Sequence, residues 1–160
     1  MHFELKNIYM NFENKGEKLQ QALNEYKEAI RINPNNASAY NEIGDIFFKE
    51  KRIGDAIKHY NDAIRINPNE ALYYRNKGAA LDELGRREEA IECYKEAIKV
   101  DPNYTHAYNN IGIILENEKR YELAVQHFNE ANRINPNCAI YYSNKGYALD
   151  ELGRRKKLSD

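Results

Sequence analysis

The sequence contains four prolines, Pro34, Pro68, Pro102 and Pro136, and each stands thirty-four residues after the one before. A fixed period of that size marks a repeat array, in which one supersecondary unit is copied and stacked. With each proline set at position 32, the units run 3–36, 37–70, 71–104, 105–138 and a shortened 139–160. Residues at equal positions are then expected to meet equal surroundings, except in the terminal units, where one face lacks a neighbour.

The unit at 37–70 carries the physics. Tyr40, Ile43, Gly44 and Phe47 fall at helical spacing and share one face of a first helix. Ala56, Tyr60 and Ala63 do the same on a second helix. The small residues let two backbones approach, and the aromatics fill the space beside them. Asn67-Pro68-Asn69 ends the second helix, because proline cannot continue it and drives the preceding residue out of the α region. Asn69 is then placed to cap the next helix. The third unit repeats the pattern as Tyr74, Gly78, Leu81, Ala90, Tyr94 and Ala97. The fourth repeats it as Tyr108, Ile111, Gly112, Leu115, Ala124, Phe128 and Ala131.

The string aromatic-x2-Ile-Gly-x2-Phe, then Ala-x3-Tyr, then Pro resembles the tetratricopeptide repeat family, whose signature has Trp in the first place. The likeness covers residues 37–153. Tyrosine replaces the tryptophan throughout, and Lys77 and Lys145 stand where Ile43 and Ile111 sit. A lysine stem can pack there with its ammonium in water. The resemblance implies an all-α fold, a right-handed superhelical solenoid of antiparallel helix pairs, and a non-catalytic protein–protein interaction scaffold.

The end units depart from the pattern. Ala22, Tyr26, Ala29 and Ile32 make a sound second helix, but Met10 and Lys6 replace the expected glycine and aromatic. Residues 3–14 are therefore expected as an N-terminal capping helix. The fifth unit offers a first helix over 139–152, then a basic tail at Arg154–Lys157, with Leu158 where an alanine is due. Tyr147, Leu149 and Leu152 would ordinarily meet a following helix. This end is expected to be adhesive, so homo-oligomers built through it are the alternative function.

Composition excludes other classes. Charged residues make up 31% of the chain, yet the formal net charge is −1. No general attraction to nucleic acid or to an acidic membrane follows. There is no signal-peptide pattern and no apolar stretch of membrane-spanning length, so a cytoplasmic protein is expected. Two cysteines without a CxxC pair argue against a disulfide framework or a cysteine zinc site. His2, His59, His106 and His127 are scattered, and no phosphate-binding glycine loop occurs. No enzyme activity, metal or cofactor is expected.

The candidate site is the concave wall formed by the first helices. Position five reads Asn41, Arg75, Asn109 and Ser143 in units two to five, and position six reads Glu42, Asn76, Asn110 and Asn144. Asparagine is unfavourable inside helices, so a column of it needs a reason. An amide both donates and accepts, and a ladder of amides can bracket an extended peptide backbone. Such ladders hold peptides in other tetratricopeptide proteins. Asn41, Arg75, Asn76, Asn109, Asn110 and Asn144 are therefore the expected peptide-binding residues. The clamp by which some family members grip acidic chaperone tails is not carried over. Its cations are missing around Asn76, where Asn41, Asp45, His106 and Asn110 stand instead. Asp45, Asp82, Glu83, Glu116, Asp150 and Glu151 suit a basic or polar peptide better.

A second column is basic: Lys18, Arg52, Arg86, Arg120 and Arg154 at position sixteen. The local explanation is favoured over an RNA-binding edge: cations there meet the carbonyl end of the first helix, at about 0.3–1 kcal/mol each.

Overall fold

The computed structural model describes the backbone of residues 2–159, the side chains from Gly16 to Arg155 and that of Lys157. Eight helices follow one another, with no strand among the described residues: α1 (His2–Ile32), α2 (Ala37–Lys49), α3 (Ile53–Ile66), α4 (Ala71–Glu83), α5 (Arg87–Val100), α6 (Thr105–Asn117), α7 (Tyr121–Ile134) and α8 (Ala139–Ser159). None of the helices among the described residues is long and apolar enough to cross a membrane. The chain divides into two compact units, Met1–Pro68 and Asn69–Asp160.

In the first unit α2 and α3 form a hairpin, and α1 packs along α2. In the second, α4 pairs with α5 and α6 with α7, while α8 packs on α7. Each hairpin is closed by one device. An ideal Cβ on Gly44 would stand 2.5 Å from the Tyr60 ring, one on Gly78 2.7 Å from Tyr94, and one on Gly112 2.5 Å from Phe128. No real side chain fits at those distances, so the glycine is what lets the ring of the second helix lie against the first. Ala56, Ala63, Ala90, Ala97, Ala124 and Ala131 complete the seam and are fully buried.

The turns between paired helices place Lys51, Gly85 and Lys119 in the left-handed region, at φ 61°, 73° and 61°. The following arginine, Arg52, Arg86 or Arg120, is the N-cap of the second helix. Arg52 reaches Asp55 at 2.7 Å and Arg86 reaches Glu89 at 2.6 Å, each in the first turn. Arg120 has Leu123 in place of that carboxylate and pairs with Glu118 at 3.2 Å. The basic column is thus local: the backbone N–H of Arg52, Arg86 and Arg120 donates to a carbonyl near the end of the first helix, while their side chains pair with carboxylates around the turn.

Loops between hairpins are held by Asx turns around the proline. The side chains of Asn33, Asp101 and Asn135 accept from the backbone N–H two residues on, at 3.1, 2.9 and 3.3 Å. Asn36 caps α2 by accepting from the Ala39 N–H at 3.1 Å. The cap of α4 is Glu70, bonded to the Leu72 N–H at 3.4 Å, and not the expected Asn69. Helix α4 starts at Ala71, so its cap position is the residue after the Asn-Pro-Asn motif.

Two expectations about the ends differ from what forms. The repeat at 3–36 holds one long helix, α1, rather than a pair. Without a glycine at Met10, the sequence offers no slot for the Tyr26 ring, and the segment does not fold back. The side chains of residues 3–14, read as a cap, lie outside the described residues. At the other end the basic tail is no separate tail, because α8 runs on through Gly153 to Ser159.

Candidate functional site

The six expected binding residues occupy different environments. Asn41 on α2 is buried within the first unit. The other five belong to the second unit. Arg75 and Asn76 are neighbours on α4, and the Arg75 Nη1 donates to the Asn76 Oδ1 at 3.0 Å. Asn76 and Asn109 are buried. Arg75, Asn110 and Asn144 are half-buried, with surface open to solvent.

The amides are engaged inside the fold. Asn110 on α6 hydrogen-bonds the Tyr94 hydroxyl on α5. The equivalent aromatic one unit later is Phe128, which has no hydroxyl. The equivalent asparagine, Asn144 on α8, turns instead to Asn109 and donates from Nδ2 to Oδ1 at 2.8 Å. Above that pair the Tyr141 hydroxyl donates to Thr105 Oγ1 at 3.1 Å, tying α8 to α6 a second time. In the first unit the Tyr60 hydroxyl donates to Asp45 Oδ1 at 2.6 Å. Asn109, Asn110 and Asn144 therefore have a structural use: within the second unit they join successive repeats through polar contacts.

Electrostatics favour neutral aromatics beside partly buried acids. Burial pushes the Tyr94 hydroxyl up to about 12, helped by the charge of Asp82 and opposed by the Asn110 hydrogen bond and by Arg75. Burial also raises the Asp82 carboxyl, although Arg87 stands 4.0 Å away and opposes the shift. Glu116 is raised by burial first and then by the charge of Glu151. Glu116 and Glu151 thus stand close together in the second unit, with Glu151 also 3.4 Å from Arg154, while Asp82 is partly buried beside Arg87.

Tyr94 makes a prediction about pH. Its folded pKa lies above the unfolded value near 10, so its stabilisation is complete below that pH and is lost as pH rises through about 12. Stability measured by urea unfolding should fall over that window, and Tyr94→Phe should make the fall shallower. An identical fall in both proteins would assign it to other groups.

Burial raises the Cys93 thiol, which disfavours the thiolate. Burial lowers His59 and His127, which keeps them neutral against Phe47 and Tyr108. No group of three or more histidine, cysteine or acidic side chains among the described residues is arranged to hold a metal ion. Sequence reasoning missed two shallow hollows of about 280 and 370 Å³ flanking Glu88 and Glu92 on α5, one bordered by Lys95 and His127 and the other by Lys77 and Cys93. They are lined by pattern positions of the first helices, Ile111 and Leu115 in one and Lys77 and Leu81 in the other, together with second-helix residues such as Glu88 and Glu92, which the repeat pattern does not mark.

Comparison with known proteins agrees with the fold. The family profile described as TPR repeat matches residues 13–51, 44–85 and 81–118, and the one described as Tetratricopeptide repeat matches 105–138. No curated protein matches the chain in sequence. Among solved structures, the MamA protein aligns with a TM-score of 0.75 at 20% identity, covering 92% of this chain and 80% of its own. The TPR domain of Arabidopsis OM64 aligns at 0.68 and 26% identity, over 71% of this chain and 94% of that one. The TPR2B domain of yeast Sti1, solved in complex with pHsp70, aligns at 0.68 and 25% identity, over 72% and 97%. The fold is the all-α solenoid type of these proteins, and the chain belongs to the tetratricopeptide repeat family, whose members generally mediate protein–protein interactions.

Proposed function

We propose that the chain is a non-catalytic interaction module, and that its second unit binds an extended peptide of basic or polar character along the first helices α4, α6 and α8. The observation that carries this is the row of half-exposed amides on α4, α6 and α8, with the acidic pair Glu116 and Glu151 nearby in the same unit. Arg75, Asn110 and Asn144 keep surface open to solvent while their neighbours Asn76 and Asn109 are buried beneath. Asp82, Glu116 and Glu151 supply the complementary charge for lysine or arginine on the ligand. Asn41 is buried in the other unit, so the proposal for the second unit does not draw on it. The yeast Sti1 domain in complex with pHsp70 shows that a chain of this fold can hold a protein partner. The acidic pair argues for a partner of opposite charge here. A cytoplasmic setting fits the two free thiols, Cys93 and Cys138.

The test is fluorescence polarisation against labelled fifteen-residue peptides, one set lysine-rich and one set glutamate-rich. The lysine-rich set should bind more tightly. Asn110→Ala with Asn144→Ala should weaken that binding about tenfold, the order of one or two lost hydrogen bonds. Circular dichroism should show the helices kept. Equal affinity in wild type and double variant would remove the groove from the explanation.

A further inference from the structure

Each complete hairpin buries one set of positions, and the two end helices leave that set open. In α3, α5 and α7 the aromatic Tyr60, Tyr94 or Phe128 and its flanking alanines are sealed from solvent. Their counterparts in the second half of α1, Ala22, Tyr26 and Ala29, are only half-buried. That segment is a second helix without its first. Helix α8 has the reverse defect. Leu81 and Leu115 are 2% and 4% exposed, but Leu149, at the same position, is 45% exposed. Gly44, Gly78 and Gly112 each touch a ring, whereas a Cβ on Gly146 would meet nothing within 4 Å. Helix α8 is a first helix without its second. The two vacancies are the two halves of one repeat.

We propose that the second half of α1 in one copy docks on α8 of another copy, seating Tyr26 over Gly146 and covering Leu149, so that two chains complete a shared repeat. The occupant of the α8 face is a second copy because the chain itself carries the matching helix, with Ala22, Tyr26 and Ala29 at the spacing of Ala56, Tyr60 and Ala63. The contact joins unlike surfaces, so each added chain leaves one α1 and one α8 unmet. Such an interface extends the assembly unless the rotation closes a ring. This inference does not rest on the peptide-binding reading, and its test uses no peptide.

Sedimentation velocity across a concentration series is the experiment. Wild type should grow in mass with concentration, past the dimer. Tyr26→Lys and Leu149→Glu each change a side chain with solvent access, and each alone should stay monomeric. An equimolar mixture of the two should form a dimer and nothing larger, because one intact α1 meets one intact α8. Gly146→Leu fills open space in the single chain, so circular dichroism should show helicity kept or raised while association is lost. A wild type that stays monomeric at its highest soluble concentration overturns the proposal. So does a mixture that stays monomeric, and so does a Tyr26→Lys protein that dimerises alone, which would mean that α8 pairs with itself.

Discussion

Replacing Phe128 with alanine should lower stability by about 3–5 kcal/mol, the usual cost of deleting a buried aromatic ring. The ring is 0% exposed and closes the hairpin of α6 and α7 against Gly112. Gly112→Ala should cost about 1–3 kcal/mol for the opposite reason, since the added methyl has no room beside the same ring. The two substitutions share one space, so their effects should not add. With the ring gone, the new methyl fills part of the cavity. The double variant should therefore be more stable than the sum of the singles predicts. Urea unfolding of the four proteins checks this. Strict additivity would show that glycine and ring do not depend on each other, and the account of hairpin closure would fail.

Asn132→Ile should raise stability by about 1–3 kcal/mol, the range set by burying an amide without partners. Asn132 on α7 is 7% exposed, and neither its Oδ1 nor its Nδ2 has a hydrogen-bond partner among the described residues. The same position in the earlier units holds Ile30, Ile64 and Ile98. The surroundings thus accept an aliphatic side chain elsewhere in the array. A gain should appear in both thermal and urea unfolding. Asn132→Ala should gain less, because it removes the amide but leaves a void. A marked loss in Asn132→Ile would mean that the amide has a partner in solution.

The hairpins were legible because their cause is local and repeated. Gly44 and Tyr60, Gly78 and Tyr94, and Gly112 and Phe128 stand at one fixed separation, and a spacing rule reads them without coordinates. The asparagines were harder. Their unfavourable helix propensity signalled a purpose, and a ladder for a ligand was one expectation. What the sequence pattern did not convey is that Asn110 answers a tyrosine hydroxyl on the preceding helix, while Asn144 meets a phenylalanine and turns to Asn109. That choice is made by a neighbour sixteen residues back, not by the asparagine itself. The long α1 was missed because its register matches a repeat even where the glycine that would fold it is absent. Arg52, Arg86 and Arg120 serve both helix ends, bonding a first-helix carbonyl and capping the second helix, and only the first of these roles was legible in the sequence.

The segment ALDELGRR occurs twice, at 80–87 and 148–155. In the first copy it bends at Gly85 into a new helix, and in the second it stays helical through Gly153. Eight identical residues therefore hold two conformations, and the choice is made by whether a second helix packs back onto the first. The free-energy gap between bend and helix must be smaller than one interhelix seam supplies. In evolutionary terms, one eight-residue string serves both as the bend of a pair and as the body of a single helix, so copying a repeat need not alter it.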